Sequence, residues 1–280
     1  MAEPAPVKKS VLADRWTFAC PYLEMTYQDQ VLARGSGFLW KQHERTFLVS
    51  NWHNFSGRDP QTEQPISDNG GVPNRINLFS FERHGSPDEQ GMFPMLFKPV
   101  RIPLYEDDLS GPRWLEHPSF DRRVDVAAID ISDALTGMIV NHVNVLENDA
   151  VLEPFPSQDV FIIGYPLGLL PNAPYPVWKR GTLATDPKFD PEGLPKIYVD
   201  TATRKGMSGS VVIARHVLVN QPVTKKDGTT TETYLYARLD TVLGIYSGRL
   251  GPHQVEAQLG IVWKRRVIEE TLAGNRVFRG

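Results

Sequence analysis

The feature that most limits how this chain folds is its run of short apolar segments, rich in β-branched and aromatic residues and interrupted by Gly, Pro, Asn or Asp. Segments such as "VFIIG", "KIYVD" and "SVVIA" are too short for helices that could bury a core, and their boundaries are turn residues. Strands are expected at Val31 to Trp40, Thr46 to Asn51, Ile76 to Phe81, Leu96 to Leu104 and Val124 to Ile131. After a linker they resume at Asp159 to Gly164, Trp178 to Thr185, Lys196 to Asp200, Val211 to Val219, Tyr234 to Tyr246 and Glu256 to Val262. This pattern is all-β, a barrel or sandwich, divided at the linker into residues 1–145 and 146–280. One helix is expected, in "KRRVIEETLAG", where Val267, Ile268, Leu272 and Ala273 recur at helical spacing and Gly274 offers a C-cap. Its Lys264, Arg265 and Arg266 read as a solvated face. Residues 56–123 carry long turn-rich stretches with room for a regulatory protein partner.

With 280 residues the chain can bury a core without a metal or disulfide staple. The single cysteine, Cys20, permits no intrachain disulfide and favours a reducing compartment. The 30 basic and 33 acidic residues are dispersed, with net charge −3, which speaks against nucleic-acid or membrane-surface binding. The start "MAEPAPVKKSVLADRW" lacks the apolar core of a signal peptide, and no run approaches membrane-spanning length. A soluble, cytoplasmic protein is expected. No cofactor is called for, and without HExxH or paired cysteine–histidine spacing a metal-dependent hydrolase is disfavoured.

The candidate chemistry lies in "DTATRKGMSGS", Asp200 to Ser210, where Ser208 stands between glycines just before a strand. By itself this reads first as an ordinary glycine-serine turn. A nucleophile elbow is excluded, because Ser210 occupies the last glycine of GxSxG and a strand follows where a helix is needed. A serine nucleophile requires a histidine base and a carboxylate to orient it. Of seven histidines, His43, His84, His117, His142, His216 and His253 sit in polar turns or unpatterned surroundings. His53 instead directly follows the second strand of "GSGFLWKQHERTFLVSNWHNF". Asp125 opens the strand "DVAAIDIS", with Asp121 and Asp130 as weaker alternatives.

In order, "LVSNWHNF", "DVAAIDI", "GMSGS" and "LGIYSGR" resemble the chymotrypsin-like (trypsin-fold) serine peptidases, and "GYPLG" from Gly164 resembles the family's first strand-end in the second barrel. The order histidine, aspartate, serine is that family's. The resemblance spans Val31 to Leu272 and implies two six-stranded antiparallel β-barrels with a cleft between them. It implies a serine endopeptidase acting on protein or peptide substrates: His53, Asp125 and Ser208 as triad, and the amides of Gly206 and Ser208 as oxyanion hole. Substrate would be bound by Ala202, Thr203, Arg204, Lys205, Tyr246, Ser247 and Gly248, with Ser247 covering the aspartate.

The pattern departs at Met207, where digestive members carry an aspartate, and at Asn54, where many carry a cysteine. Ala202 at the position of the trypsin pocket aspartate argues against a lysine or arginine preference, leaving small or uncharged residues, or acidic ones. The contrasting class is a catalytically silent trypsin-fold protein-binding module.

Overall fold

A computed structural model describes residues 14–89, 91–107, 111–150, 152–168, 175–202, 204–219, 221–234, 237–250, 258–274 and 276–277. The N-terminal half contains β1 (Tyr22–Tyr27), β2 (Gln30–Ser36), β3 (Phe38–Gln42), β4 (Arg45–Ser50), helix α1 (Trp52–Ser56), β5 (Arg75–Arg83), β6 (Met95–Pro103), β7 (Leu115–Glu116), β8 (Ala127–Asp130) and helix α2 (Val143–Leu146). The C-terminal half contains β9 (Asp159–Gly164), β10 (Val177–Leu183), β11 (Lys196–Asp200), β12 (Val211–Leu218), β13 (Gln221–Thr224), β14 (Thr230–Tyr234), β15 (Ala237–Arg249), β16 (Leu259–Lys264), helix α3 (Arg265–Gly274) and β17 (Arg276–Val277).

The second half closes into a six-stranded antiparallel barrel in the order β10, β11, β16, β15, β12, β9. Its interior is lined by Val160, Ile162, Leu183, Ile197, Val199, Val212 and Val262. In the first half, β2, β1, β5 and β6 form a four-stranded sheet, and β17, β7, β8, β4 and β3 a five-stranded one. The expected strand from Val31 to Trp40 runs through both sheets, broken only at Gly37. There a Cβ would crowd Leu48 and Leu23 at 2.8 and 3.0 Å, so a side chain does not fit the crossing. Between the two sheets lies a core of Leu23, Met25, Leu39, Leu48, Ile76, Leu78, Ile102 and Ile129.

A third apolar cluster joins the halves. It combines Phe38, Trp40, Phe47, Val49 and Val126 with Ile163, Val211, Ile213, Ile245 and Trp263. The expected C-terminal helix is present as α3, and its apolar face, Val267, Ile268 and Leu272, enters this same cluster. His117 ties the helix down further, its Nε2 lying 2.7 Å from Glu270 Oε2 while Nδ1 accepts from the Ser119 and Phe120 amides. Cys20 is buried in the joint cluster, and burial pushes its thiol pKa up.

Strands β1, β7, β13, β14 and β17 were not expected from sequence, nor were α1 and α2. The expected strand at Glu256 begins outside the described residues and appears as β16 from Leu259; that at Tyr234 spans undescribed residues and resumes as β15. Among the described residues, no helix is long and apolar enough to cross a membrane.

Candidate active site

The register of β4 against β8 sets the first half of the site. Ser50 pairs with Ala127, so the residues just after β4 and just before β8 emerge side by side at one end of the sheet. His53 follows β4 by three positions, and Asp125 precedes β8 by two. His53 lies on α1, a helix too short to hold itself, whose orientation comes from its neighbours. Trp52 donates its indole N–H to the buried Glu116 carboxylate at 2.5 Å, and that oxygen also receives Trp114 Nε1–H at 3.1 Å. Phe55 is fully buried and packs on the Trp114 ring. Gly57 ends the helix at φ 66°, its amide donating to the His53 carbonyl at 3.0 Å, and a Cβ there would overlap Pro73.

Asp125 is 4% exposed and adopts left-handed backbone angles, φ 39° and ψ 41°. A non-glycine residue in that region is strained, and such residues concentrate at functional sites. Its conformation is held from both sides: its amide donates to the Arg122 carbonyl at 2.9 Å, and its own carbonyl accepts from Asn51 Nδ2 at 2.8 Å. The carboxylate faces His53, accepting the backbone amide at Oδ1 (3.0 Å) and contacting Nδ1 at 3.0 and 2.8 Å through Oδ1 and Oδ2. A carboxylate only accepts, so Nδ1 carries the proton and Nε2 is left with its lone pair. The Ser247 hydroxyl donates to Oδ2 from the other side.

The His53 side chain is 17% exposed. Burial pulls its pKa down, but the Asp125 charge, the Asp125 hydrogen bond and the Asp59 charge outweigh it, and the net direction is upward. Asp59 is itself held below the usual carboxylate range, chiefly by the Thr62 amide and by further bonds to Gln61 and the Thr62 hydroxyl.

The second half of the site is the turn before β12. Ser208 abuts α1: its carbonyl accepts from Asn54 Nδ2 at 3.2 Å and from the Ser36 amide at 3.0 Å. Met207 is fully buried among the barrel residues. Gly206 has φ 91°, and a Cβ there would stand 2.5 Å from the Tyr165 carbonyl oxygen. Among the described residues, neither the Gly206 nor the Ser208 amide makes a hydrogen bond, and no hydrogen bond joins the Ser208 hydroxyl to His53.

The pairing of Val211 with Ile245 brings β15 alongside this turn. The Gly209 amide donates to the Tyr246 carbonyl, and the Tyr246 amide to the Ser210 carbonyl, both at 2.9 Å. On this edge the pairing ends at Tyr246, and Ser247 and Gly248 continue β15 beyond it. The Tyr246 ring turns away into the barrel core, so it is the backbone of this residue that faces the turn. Ala202, Arg204 and Lys205 are exposed, and Thr203 lies outside the described residues.

Sequence reasoning did not single out Ser36, Ser50 or Asn51, nor give Asn54 a role. All four are small polar residues that are 4% exposed or less: Ser36 and Ser50 end β2 and β4, Asn51 follows β4 and Asn54 lies in α1. That placement is the one signal available for them, since a buried polar group there must be hydrogen-bonded.

No family model matches the chain, and no curated protein matches it. Among solved structures, the chain is similar to the serine endoprotease from Yersinia pestis, with 12% identity and TM-score 0.48, covering 94% of this chain and 67% of that one. It is also similar to the Rv3671c protease from M. tuberculosis. The active form aligns with 16% identity, TM-score 0.46 and coverage of 94% and 82%; the inactive form with 15%, 0.41 and coverage of 92% and 88%. The closed antiparallel barrel, the paired sheets of the N-terminal half and the C-terminal helix make a trypsin-like fold.

Proposed function

We propose that this chain is a serine endopeptidase that hydrolyses peptide bonds through an acyl-enzyme. The observation that carries the reading is the doubly held Asp125 carboxylate, which fixes the His53 tautomer beside the turn bearing Ser208.

With Nδ1–H committed to Asp125, His53 Nε2 accepts the Ser208 proton as the serine oxygen attacks the scissile carbonyl. Asp125 stabilises the imidazolium that forms. The Gly206 and Ser208 amides receive the negative oxygen of the tetrahedral intermediate. His53 then returns its proton to the leaving amine, the carbon–nitrogen bond breaks, and water enters by the same route in reverse to release the acyl group. That the Ser208 hydroxyl is not bonded to His53 fits this account, because catalytic hydrogen bonds are often loose without substrate and tighten in the complex. An extended polypeptide would lie along Ser247 and Gly248 by β-augmentation. With the alanine at position 202, small or uncharged residues are favoured on the acyl side of the cut.

The test is cleavage of a diverse peptide mixture by the wild-type chain and by Ser208→Ala. Cuts after small or uncharged residues are expected, with a loss on the order of 10⁶-fold in the variant. Peptides held but left intact by the wild-type chain would instead make it a binding module.

A further inference from the structure

We propose that Ser36 is the positioning residue that sets the shape of the oxyanion turn, doing so from the opposite half of the molecule. This inference rests on the peptidase reading above.

In a trans peptide the carbonyl of one residue and the amide of the next point in opposite directions. Holding a carbonyl therefore aims the following N–H. The Lys205 carbonyl accepts from the Leu167 amide at 2.5 Å, which aims the Gly206 N–H away from Leu167. The Met207 carbonyl accepts from the Ser210 amide at 3.0 Å, which aims the Ser208 N–H in the same manner. Between these two units lies the Gly206–Met207 peptide, which joins them and so bears on their mutual orientation. Its carbonyl is held by a side chain, the Ser36 hydroxyl, at 2.9 Å.

Ser36 is fully buried, and each of its polar groups is engaged. The hydroxyl accepts from the Tyr165 amide at 2.9 Å, which leaves its proton for Gly206. The backbone amide donates to the Ser208 carbonyl at 3.0 Å, and the backbone carbonyl accepts from the Ser50 hydroxyl at 2.8 Å. Ser50 in turn accepts from Asn54 Nδ2 at 2.9 Å, and Asn54 returns to the Ser208 carbonyl, closing a ring that includes the neighbour of His53. Met207 is apolar and buried, and Gly206, as glycine, resists rotation least. Two bonds thus keep this peptide from turning over, the Met207 amide to the Arg204 carbonyl at 3.3 Å and the shorter one from the Ser36 hydroxyl, which is the one a side chain makes and a substitution can remove.

The experiment compares the wild-type chain with Ser36→Ala and with the near-isosteric, weakly donating Ser36→Cys. Two inhibitors are built on the best-cleaved peptide: its C-terminal aldehyde, which adds the Ser208 oxygen and places its own oxygen in the hole, and the corresponding unreactive alcohol. Urea midpoints establish that each variant is folded. The expected result is a roughly 10- to 100-fold weaker aldehyde inhibition constant in Ser36→Ala, less than the roughly 10²- to 10³-fold cost of losing an oxyanion donor outright, with the alcohol unchanged within about twofold. Ser36→Cys is expected to fall between. An unchanged aldehyde-to-alcohol ratio in whichever variant folds overturns the proposal. Failure of both variants to fold does so too, since it assigns Ser36 to stability alone. A wild-type chain that binds aldehyde no better than alcohol removes the peptidase reading itself.

Discussion

At the scale of the residue, His53 works between opposing forces. Burial favours its neutral form, yet Asp125 and the more distant Asp59 hold its pKa above the ordinary value near 6.5. A base must be neutral to accept the serine proton, so kcat/KM should rise with pH through a value above that ordinary one. The stability contribution has the opposite sense: protonated His53 stabilises the folded chain below its unfolded pKa, and this is lost as pH rises through the folded value. Asp59→Asn removes one of the two charges and keeps the Oδ1 acceptor that receives the Gln61 and Thr62 amides. It should move the acid limb of kcat/KM to lower pH with the plateau unchanged. A pH–rate series on both proteins measures this, and an unmoved limb would show that Asp59 does not act on His53.

At the scale of the element, the turn from Gly206 to Ser210 is tightly constrained on both of its glycines. Gly209 has φ 87°, and a Cβ there would overlap both the Ser36 carbonyl and the Ser50 hydroxyl. Gly209→Ala should therefore cost at least ~2 kcal/mol, from left-handed strain together with overpacking. A urea titration reads this as a lower midpoint; a midpoint equal to wild type would mean that the turn yields freely.

Much of this element could be read beforehand, because a serine between glycines ahead of an apolar run marks both a turn and its strand. His53 and Asp125 could be singled out for a similar reason, since each stands next to the end of an apolar strand. What could not be read was their conformation. The left-handed angles of Asp125 and the short helix α1 follow from partners far along the chain, Asn51 and Glu116 among them. Ser36 was hidden in the same way: its partner Gly206 is 170 positions away, and no local pattern encodes a side-chain bond of that span. Strand β1, "YLEMTY", went unread because Glu24 interrupts its apolar residues and its pairing with β5 lies some fifty residues on.

At the scale of the whole molecule, the site depends on two halves held in register by one apolar cluster. Helix α3 packs against β8 and β15, the strands next to Asp125 and Ser247, and buries Leu272 to 4% exposure. Leu272→Ala should destabilise the fold by about 2–5 kcal/mol, the usual cost of a core cavity of this kind. The check is a urea titration followed by two probes, one in each half. Because the cluster is shared, both should shift together; a loss confined to one probe would show that the halves unfold independently. The β character of the C-terminal half was legible from its strand spacing, and its closure into a barrel from the resemblance to the trypsin fold. The division of the N-terminal half into four- and five-stranded sheets was not, since it turns on Gly37 and on β17 arriving from the far end of the chain.

All three scales meet in one claim, that the Ser208 oxygen is a nucleophile activated by His53. Its most direct measurement is the intact mass of the folded chain after treatment with a fluorophosphonate probe, taken beside Ser208→Ala and His53→Ala. The expected result is a single phosphonyl adduct on the wild-type chain, none on Ser208→Ala and sharply slowed labelling of His53→Ala. Equal labelling of all three proteins, or none of the wild type, would contradict it.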